Sequence, residues 1–437
     1  MRSQINVAVI GFGTVGSGVV TILMQNADVI ARRVGVPVNL LRIVDVDITT
    51  DRGIVVPAGV LSTDLQATLE DPSIDIIVEL IGGSDIAKHV MVSAIAQGKQ
   101  VVTANKALLA IHGEDIFEAA ARASVDVGFE ASVGGGIPVL QSLTRGLSAN
   151  RVSSVMGILN GTANYILTQM STERQGFQEA LNLAKACGYA EADPTFDIEG
   201  IDTAHKLAIM INLAFGTPVN IKDISTEGIT GLTTLDIDYA KELGMVVKLL
   251  GIAKLYDEQV EARVHPTLVP QTSPLAQVHG VYNAVHLVGD AVGDIMLYGQ
   301  GAGSLPTASA VVSDVIECAR NVLIQASGTI PALSFQRNQR RPLRLRPMEE
   351  LMSAYYLHFM VLDRPGVLSQ IAGILGAQGI SIASVLQRGR QEGQPVPVVI
   401  TTHRALERAV QTALHEIHAL SNFVSEPTTL IRIESQE

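Results

Sequence analysis

A short apolar segment, residues 5–10, runs directly into Gly11-Phe12-Gly13-Thr14-Val15-Gly16, and a helical stretch begins at Ser17. Strand, glycine turn and helix in that order restrict the start of the chain to a dinucleotide-binding βα unit. Gly11 permits the tight turn, Gly13 admits a pyrophosphate to the backbone, and Gly16 lets helix pack on strand, while the helix amino terminus attracts negative charge. A plain glycine-rich turn is the alternative for the motif taken alone. Apolar segments at 40–46, 74–80, 100–103 and 125–129, separated by helical patterns, extend the unit into a parallel, doubly wound sheet.

Asp45 closes the second of these segments, where a carboxylate can accept hydrogen bonds from an adenosine ribose and repel a 2′-phosphate. The spacing from Gly16 leaves Asp47 as an alternative partner. Thr103-Ala104-Asn105-Lys106 follows a strand, which places Lys106 at the carboxyl end of the sheet, where open α/β folds bind ligands. The stretch from Glu130 through Val133, Gly135 and Ile137 to Pro138 has two readings, a nest of amides for an anion or a ring of carbonyls for a cation. An interdomain turn that needs glycine is the structural alternative.

Beyond residue 150, Asn160-Gly161-Thr162-Ala163-Asn164-Tyr165 is followed by Gly188-Tyr189-Ala190-Glu191-Ala192-Asp193-Pro194 and then by Asp202 and Lys206. Residues 199–214 have helical periodicity, so Asp202 and Lys206 share one face. Glu191 and Asp202 flank Lys206 within sixteen residues, which offers partners for an ammonium group and a candidate proton carrier. Asp197 and Glu199 are read as residues that cap or start a helix and His205 as structural. Downstream of a dinucleotide fingerprint, this constellation indicates a nicotinamide dehydrogenase acting on a small amino acid.

The length, 437 residues, suits about three domains. A formal charge of -12 argues against nucleic-acid binding, and no run of 18 apolar residues marks a membrane span. Cys187 and Cys318 lack metal-ligand spacing and are read as ordinary buried thiols of a reducing compartment. With no leader pattern ahead of the first strand, a cytoplasmic location is expected. Residues 335–350, with Arg337, Arg340, Arg341, Arg344 and Arg346, read as an exposed linker, with a basic binding arm as the alternative. After it, segments at 355–361, 367–377, 379–387, 396–402, 405–417 and 424–433 follow the order βαββαβ, a ferredoxin-like arrangement.

These motifs, together with Gly301-Ala302-Gly303-Ser304-Leu305-Pro306-Thr307-Ala308, resemble those of the homoserine dehydrogenases over residues 5 to about 320. The carboxyl-terminal part, opening Asp363-Arg364-Pro365-Gly366-Val367-Leu368, resembles an ACT regulatory domain. The resemblance implies an α/β protein with a Rossmann-like dinucleotide-binding domain at 1–135, to which the chain returns around 305–330. An α+β substrate and dimerisation domain would follow at 136–304, and the ACT domain at 351–434. It further implies interconversion of L-homoserine and L-aspartate 4-semialdehyde with NAD or NADP, on the way to threonine, methionine and isoleucine. Lys206 would carry the proton and Lys106 assist at the substrate, while Glu191 and Asp202 would bind homoserine. Phe12, Thr14, Val15, Thr103, Lys106, Gly188 and Gly303 would contact the cofactor. Glu130 with the carbonyls of Val133, Gly135 and Ile137 would hold a monovalent cation, sodium.

The ACT domain would bind an amino acid, with L-threonine expected, around Asp363, Gly366, Gly379, Ile380 and Ser381, in a homodimer or homotetramer. Many relatives carry basic residues where this chain has Val46 and Thr50, so with Asp45 nearby NAD is favoured. A non-catalytic, NAD-responsive amino-acid sensor is the rival from another class.

Overall fold

The structure, a computed structural model, describes residues 2–388, 392–420, 424 and 426–434. It divides into two compact units, one of Met1–Val155, His205–Asp223 and Tyr282–Leu343, the other of Met156–Ala204, Ile224–Val281 and Arg344–Glu437. The boundary therefore falls inside the helix Ile201–Phe215.

The first unit is built on a six-stranded parallel sheet in the order Leu61–Ser62, Val38–Val44, Ile5–Ile10, Ile76–Glu79, Gln100–Thr103, Val127–Gly128. This is the doubly wound order whose switch point, between Ile5–Ile10 and Ile76–Glu79, opens a crevice at the carboxyl ends of the strands. Ile5, Val7, Val9, Ile76 and Val78 are fully buried in one core. The helix Ser304–Ile324 returns to the same core through Val311, Val315 and Ala319, beside the helix Thr14–Gln25. Their approach is close: a Cβ on Gly18 would lie 2.7 Å from Ser304 Oγ. An antiparallel hairpin, Tyr282–Gly289 with Gly293–Gln300, also belongs here.

The second unit holds a long antiparallel pair, Met245–Tyr256 with Gln259–Pro270. The carboxyl-terminal segment has the four-stranded order Thr429–Ile433, Met352–Leu362, Pro395–Thr402, Ile382–Gln387, backed by the helices Val367–Ala377 and Glu407–His418. That is the ferredoxin-like order, but the segment is not a separate body. Thr429–Ile433 pairs in parallel with Gln259–Pro270, through Thr267 with Arg432 and Leu268 with Ile433, so one sheet runs through both.

Buried ionic bonds reinforce the seam. Arg432, buried, donates to both carboxylate oxygens of buried Glu407 at 2.8 and 2.7 Å and to Glu227 at 2.9 Å, and Arg263 donates to Glu434 at 2.9 Å. Charges removed from water are tolerated only when paired in this way. His358 Nδ1 and the Tyr356 hydroxyl both meet the fully buried Asp236 carboxylate, at 2.7 and 3.0 Å.

Two sequence expectations are corrected. Residues 335–343 are not a bare linker: Phe335, Arg337, Arg340, Arg341 and Leu343 all bond or pack within the first unit. Of the cysteines, only Cys318 is buried; Cys187 is exposed, since the helix Phe177–Ala186 ends just before it, and both are free thiols. Among the described residues no single helix is long and apolar enough to cross a membrane.

Candidate functional site

In the first unit the glycine loop has the shape its residue types require. Gly11 adopts φ +102°, and a Cβ there would meet the Leu80 carbonyl oxygen at 2.6 Å. A Cβ on Gly16 would meet the Gly11 carbonyl oxygen at 2.0 Å. At Gly13 nothing lies within 4 Å of where a Cβ would stand, so the backbone is open to a ligand. Gly13 also precedes the helix Thr14–Gln25 without a side-chain cap, which leaves the first-turn amides to attract an anion. The residues present therefore fit a dinucleotide pyrophosphate. Gly16→Ala is expected to raise the Kd for NADH or NADPH about tenfold or more, because a backbone clash cannot be relieved by rotation. Unchanged affinity in a fluorescence titration of the folded variant would show that the close approach is dispensable.

Asp45 stands just beyond Val38–Val44, but its carboxylate already braces the loop. Oδ2 accepts from the Phe12 amide at 2.5 Å and Oδ1 from the Asp47 amide at 2.9 Å. Asp47 accepts from Thr49 and Thr50, whose hydrogen bonds hold its carboxyl well below the usual range. The Arg52 guanidinium lies 3.9 Å from Asp45, 3.6 Å from Asp47 and 4.9 Å from the centre of the Phe12 ring. Arg52 thus brings a positive charge beside the two carboxylates that follow Val38–Val44.

At the carboxyl ends of the central strands, Glu79 is fully buried and accepts from the Thr103 hydroxyl at 2.6 Å and the Ile81 amide at 2.7 Å. Burial pushes its carboxyl up to about 7 against those two bonds. Asn105 caps the helix Lys106–Ala123 by accepting from Leu108 and donates to the carbonyls of Ile81 and Gly83. Lys106 is therefore the first residue of a helix whose positive end it shares, a placement that adds nothing to helix stability. Lys206 is buried on Ile201–Phe215, one turn after buried Asp202. Gly303, with φ +119°, precedes Ser304–Ile324.

The loop from Glu130 to Ile137 is tightly held. The Glu130 carboxylate accepts from the amides of Leu140 and Gln141 at 2.9 and 2.7 Å, and burial followed by the nearby Asp314 charge raises its pKa. Gly134 and Gly135 have φ +75° and +55°, and a Cβ on Gly135 would meet the Gly301 backbone at 2.6 Å. Among the described residues no group of three His, Cys, Asp or Glu could hold a metal. Within the loop the Ile137 amide donates to the Gly134 carbonyl at 2.9 Å and the Ile137 carbonyl accepts from the Val139 amide at 2.8 Å.

In the second unit, Asn160 gathers the acids. Its carbonyl oxygen caps the helix Gly161–Thr172 at the Ala163 amide, 2.7 Å, while its amide nitrogen donates to Asp197 at 2.7 Å and to Asp202 at 2.9 Å. Asp197 lies in the first turn of the short helix Thr195–Ile198, where an acid that starts a helix is expected, and Asp193 just ahead of that helix accepts from the Thr195 amide and hydroxyl. Glu199 closes that helix, its amide donating to the Thr195 carbonyl at 3.0 Å, and its side chain accepts from Thr230 at 3.2 Å. Gly188 has φ +74°, and the segment after it is pinned by Thr162 Oγ1 donating to the Tyr189 carbonyl at 2.6 Å. Glu191 is exposed. Asn164 donates to the carbonyls of Val278 and Gly280, and its own carbonyl accepts from buried Lys248, whose pKa burial lowers to about 8.

Farther along this unit, Asp363 and Gly366 line a cavity of about 340 Å³ with Arg364, Pro365 and Gln387. Gly379, Ile380 and Ser381 are not among its described lining residues; Ile380 is buried and the Ser381 carbonyl accepts from His403.

Comparison with known proteins decides the family. Residues 11–130 match the homoserine dehydrogenase NAD-binding domain, 138–316 homoserine dehydrogenase and 355–420 the ACT domain. The homoserine dehydrogenase of Neisseria gonorrhoeae is 44% identical over 431 residues, covering 99% of each chain. The chain belongs to the homoserine dehydrogenase family. The Pseudomonas aeruginosa member is 44% identical over 433 residues, covering 98% of this chain and 99% of its own. A solved homoserine dehydrogenase from Thiobacillus denitrificans superposes with a TM-score of 0.93 at 44% identity, over 99% of this chain and 98% of its own. The protein is thus an oxidoreductase with a nicotinamide-binding domain and an ACT domain.

Glu79 and Arg52 escaped the sequence reading, which quoted Asn105 and Asn160 within motifs but gave them no role. Glu79 carried a usable signal, a lone carboxylate ending an otherwise apolar strand. Asn160 acts on Asp197 and Asp202, distant in the chain, whereas Arg52 lies in a loop without periodicity.

Proposed function

We propose that the protein interconverts L-homoserine and L-aspartate 4-semialdehyde, with Lys206 as the proton carrier, Lys106 assisting at the substrate, and Glu191 and Asp202 holding the substrate ammonium. The observation that carries the reading is a buried carboxylate, Asp202, fixed by Asn160 one turn before a buried lysine, Lys206. A bound nicotinamide dinucleotide supplies or takes up the hydride. Gly11, Phe12, Gly13, Thr14, Val15 and Gly16 cradle its phosphates, with Thr103, Gly188 and Gly303 completing the contacts. For reduction, Lys206 donates its proton to the oxygen of the aldehyde as negative charge develops there. For oxidation it must be neutral to accept the hydroxyl proton, and an ordinary lysine is charged below about pH 10.4.

NAD is the favoured cofactor because Asp45 opposes a 2′-phosphate, and Arg52 beside it supports the second reading, NADP. The carbonyls of Val133, Gly135 and Ile137 with Glu130 hold a sodium ion in this proposal. The ACT segment binds L-threonine through the cavity at Asp363 and Gly366, with Gly379, Ile380 and Ser381 serving as support, and the protein acts as a homodimer or homotetramer. Inhibition then requires that threonine bind one conformational state more tightly than another.

The test is the initial rate of L-aspartate 4-semialdehyde reduction with NADH and NADPH, each with and without millimolar L-threonine. Faster turnover with NADH and suppression by threonine are expected. Activity with neither cofactor would sink the enzymatic reading in favour of a sensor, and activity without suppression would remove threonine as the effector.

A further inference from the structure

We propose that Arg340 is a positioning residue that locks together the two helices bearing Lys106 and Lys206. The inference deepens the proposed function and rests on its assignment of those two lysines. Lys106 begins the helix Lys106–Ala123, and Glu114 lies eight residues along it, about 12 Å at 1.5 Å per residue. Lys206 stands on Ile201–Phe215, and Asn212 lies six residues, about 9 Å, beyond it.

Arg340 spans the two. Its Nη1 donates to Glu114 Oε2 at 3.0 Å, its Nη2 to Glu114 Oε1 at 2.5 Å, and the same nitrogen to Asn212 Oδ1 at 2.8 Å. Asn212 Nδ2 closes the triangle on Glu114 Oε1 at 3.4 Å. The Arg340 side chain is only 13% exposed although Glu114 is 55% exposed, so the fork is sheltered. A planar guanidinium meeting a carboxylate through two bonds fixes direction as well as distance, which a lysine could not do.

The segment that delivers Arg340 is itself fastened to the end of the Lys206 helix. The Phe335 ring lies against Gly216, where a Cβ would come within 2.9 Å of it, and Gly216 adopts φ +65°. The Arg341 amide donates to the Gly216 carbonyl at 3.3 Å and the Leu343 amide to the Thr217 hydroxyl at 2.9 Å. Arg337 reaches Glu118, one turn past Glu114, at 2.5 Å.

Close packing alone does not set the helix spacing here. A cavity of about 70 Å³ lies between Leu109, Gly113, Ala208, Ile209, Pro218 and Leu333. Side chains facing a void can shift, whereas the three-way polar contact cannot without losing bonds. The arginine-rich stretch is therefore neither a bare linker nor a binding arm at this point but a strap across both helices.

Misplacing a reacting group by about 1 Å can cost on the order of 100-fold in rate, so Arg340→Ala is expected to lower kcat for homoserine oxidation about tenfold or more. KM for the cofactor should stay within about twofold, since the glycine loop is untouched. The alkaline limb of the kcat profile should shift, because the surroundings of Lys206 change. Arg340→Lys should fall between, and the exchange Arg340→Glu with Glu114→Arg should recover part of the loss.

Thermal melting and active-site titration accompany each variant. A kcat per active site within about twofold of the parent, with an unmoved pH profile, would overturn the proposal. If Arg340→Ala does not fold, Arg340→Lys decides by the same criteria. Lys206→Ala in the same assays separates the two levels: surviving turnover there removes the catalytic reading, whereas lost turnover there with a normal Arg340→Ala removes only the strap.

Discussion

Lys206→Ala is expected to lower kcat in both directions by about 10²- to 10⁴-fold, the usual contribution of a positioned acid or base. Lys206 is buried on the helix Ile201–Phe215, and one turn before it Asp202 is held by Asn160. Truncation leaves that carboxylate in place and the backbone helical, since alanine favours a helix. The Kd for NADH should hardly change, because the proposed cradle rests on the loop of Gly11, Gly13 and Gly16 and on the brace from Asp45 to the Phe12 amide, not on Lys206. Single-turnover rates and a fluorescence titration of NADH measure the two quantities. A variant with intact cofactor affinity and near-normal turnover would assign the proton to another group.

The second large effect is on stability. Arg432→Ala should cost about 3–5 kcal/mol, the range for breaking a buried ion pair from one side. Both Arg432 and Glu407 are almost wholly shielded, and their two bonds join the strand Thr429–Ile433 to the helix Glu407–His418. Without the guanidinium, Glu407 keeps only Tyr355 and Gln411 as partners among the described residues. Burial alone would raise the Glu407 pKa, but the hydrogen bonds and charge of Arg432 outweigh it and hold the carboxyl below its ordinary value. A depressed carboxyl stabilises fully above its unfolded pKa and loses that contribution as pH falls through the folded one. The penalty should therefore be complete at neutral pH and shrink in acid. Denaturation midpoints of parent and variant at several pH values test this, and equal midpoints at neutral pH would show that the pair carries no net stability.

How much of this was legible in the sequence depended on how local the cause was. The glycine spacing was readable because a positive φ at Gly11 and the contact of Gly16 with the Gly11 carbonyl are demands on residue type. The ferredoxin-like order was readable from segments such as Met352–Leu362, where Tyr355, Leu357, Phe359 and Val361 alternate in the sequence and share one core, although Tyr356 and His358 between them are buried as well. Leu61–Ser62 and Val127–Gly128 were too short to show any period.

The pairing of Thr267 with Arg432 lay beyond reach, because which free sheet edges meet is decided by packing across 165 positions of chain. The same holds within the site. Lys106 and Lys206 could be proposed from motifs, whereas Asn160 works through Asp197 and Asp202, and Arg340 through Glu114 and Asn212, all partners distant in sequence. Arg52 was hidden in a loop with no periodicity, although it stands beside Asp45.

The most direct test of the central claim is the pH dependence of kcat for L-homoserine oxidation, followed from about pH 7 to about pH 10 at saturating substrate and cofactor. Oxidation needs Lys206 neutral, so kcat should climb with pH across that range and level off only where the lysine has lost its proton. A flat profile would contradict lysine as the base and with it the account of the site.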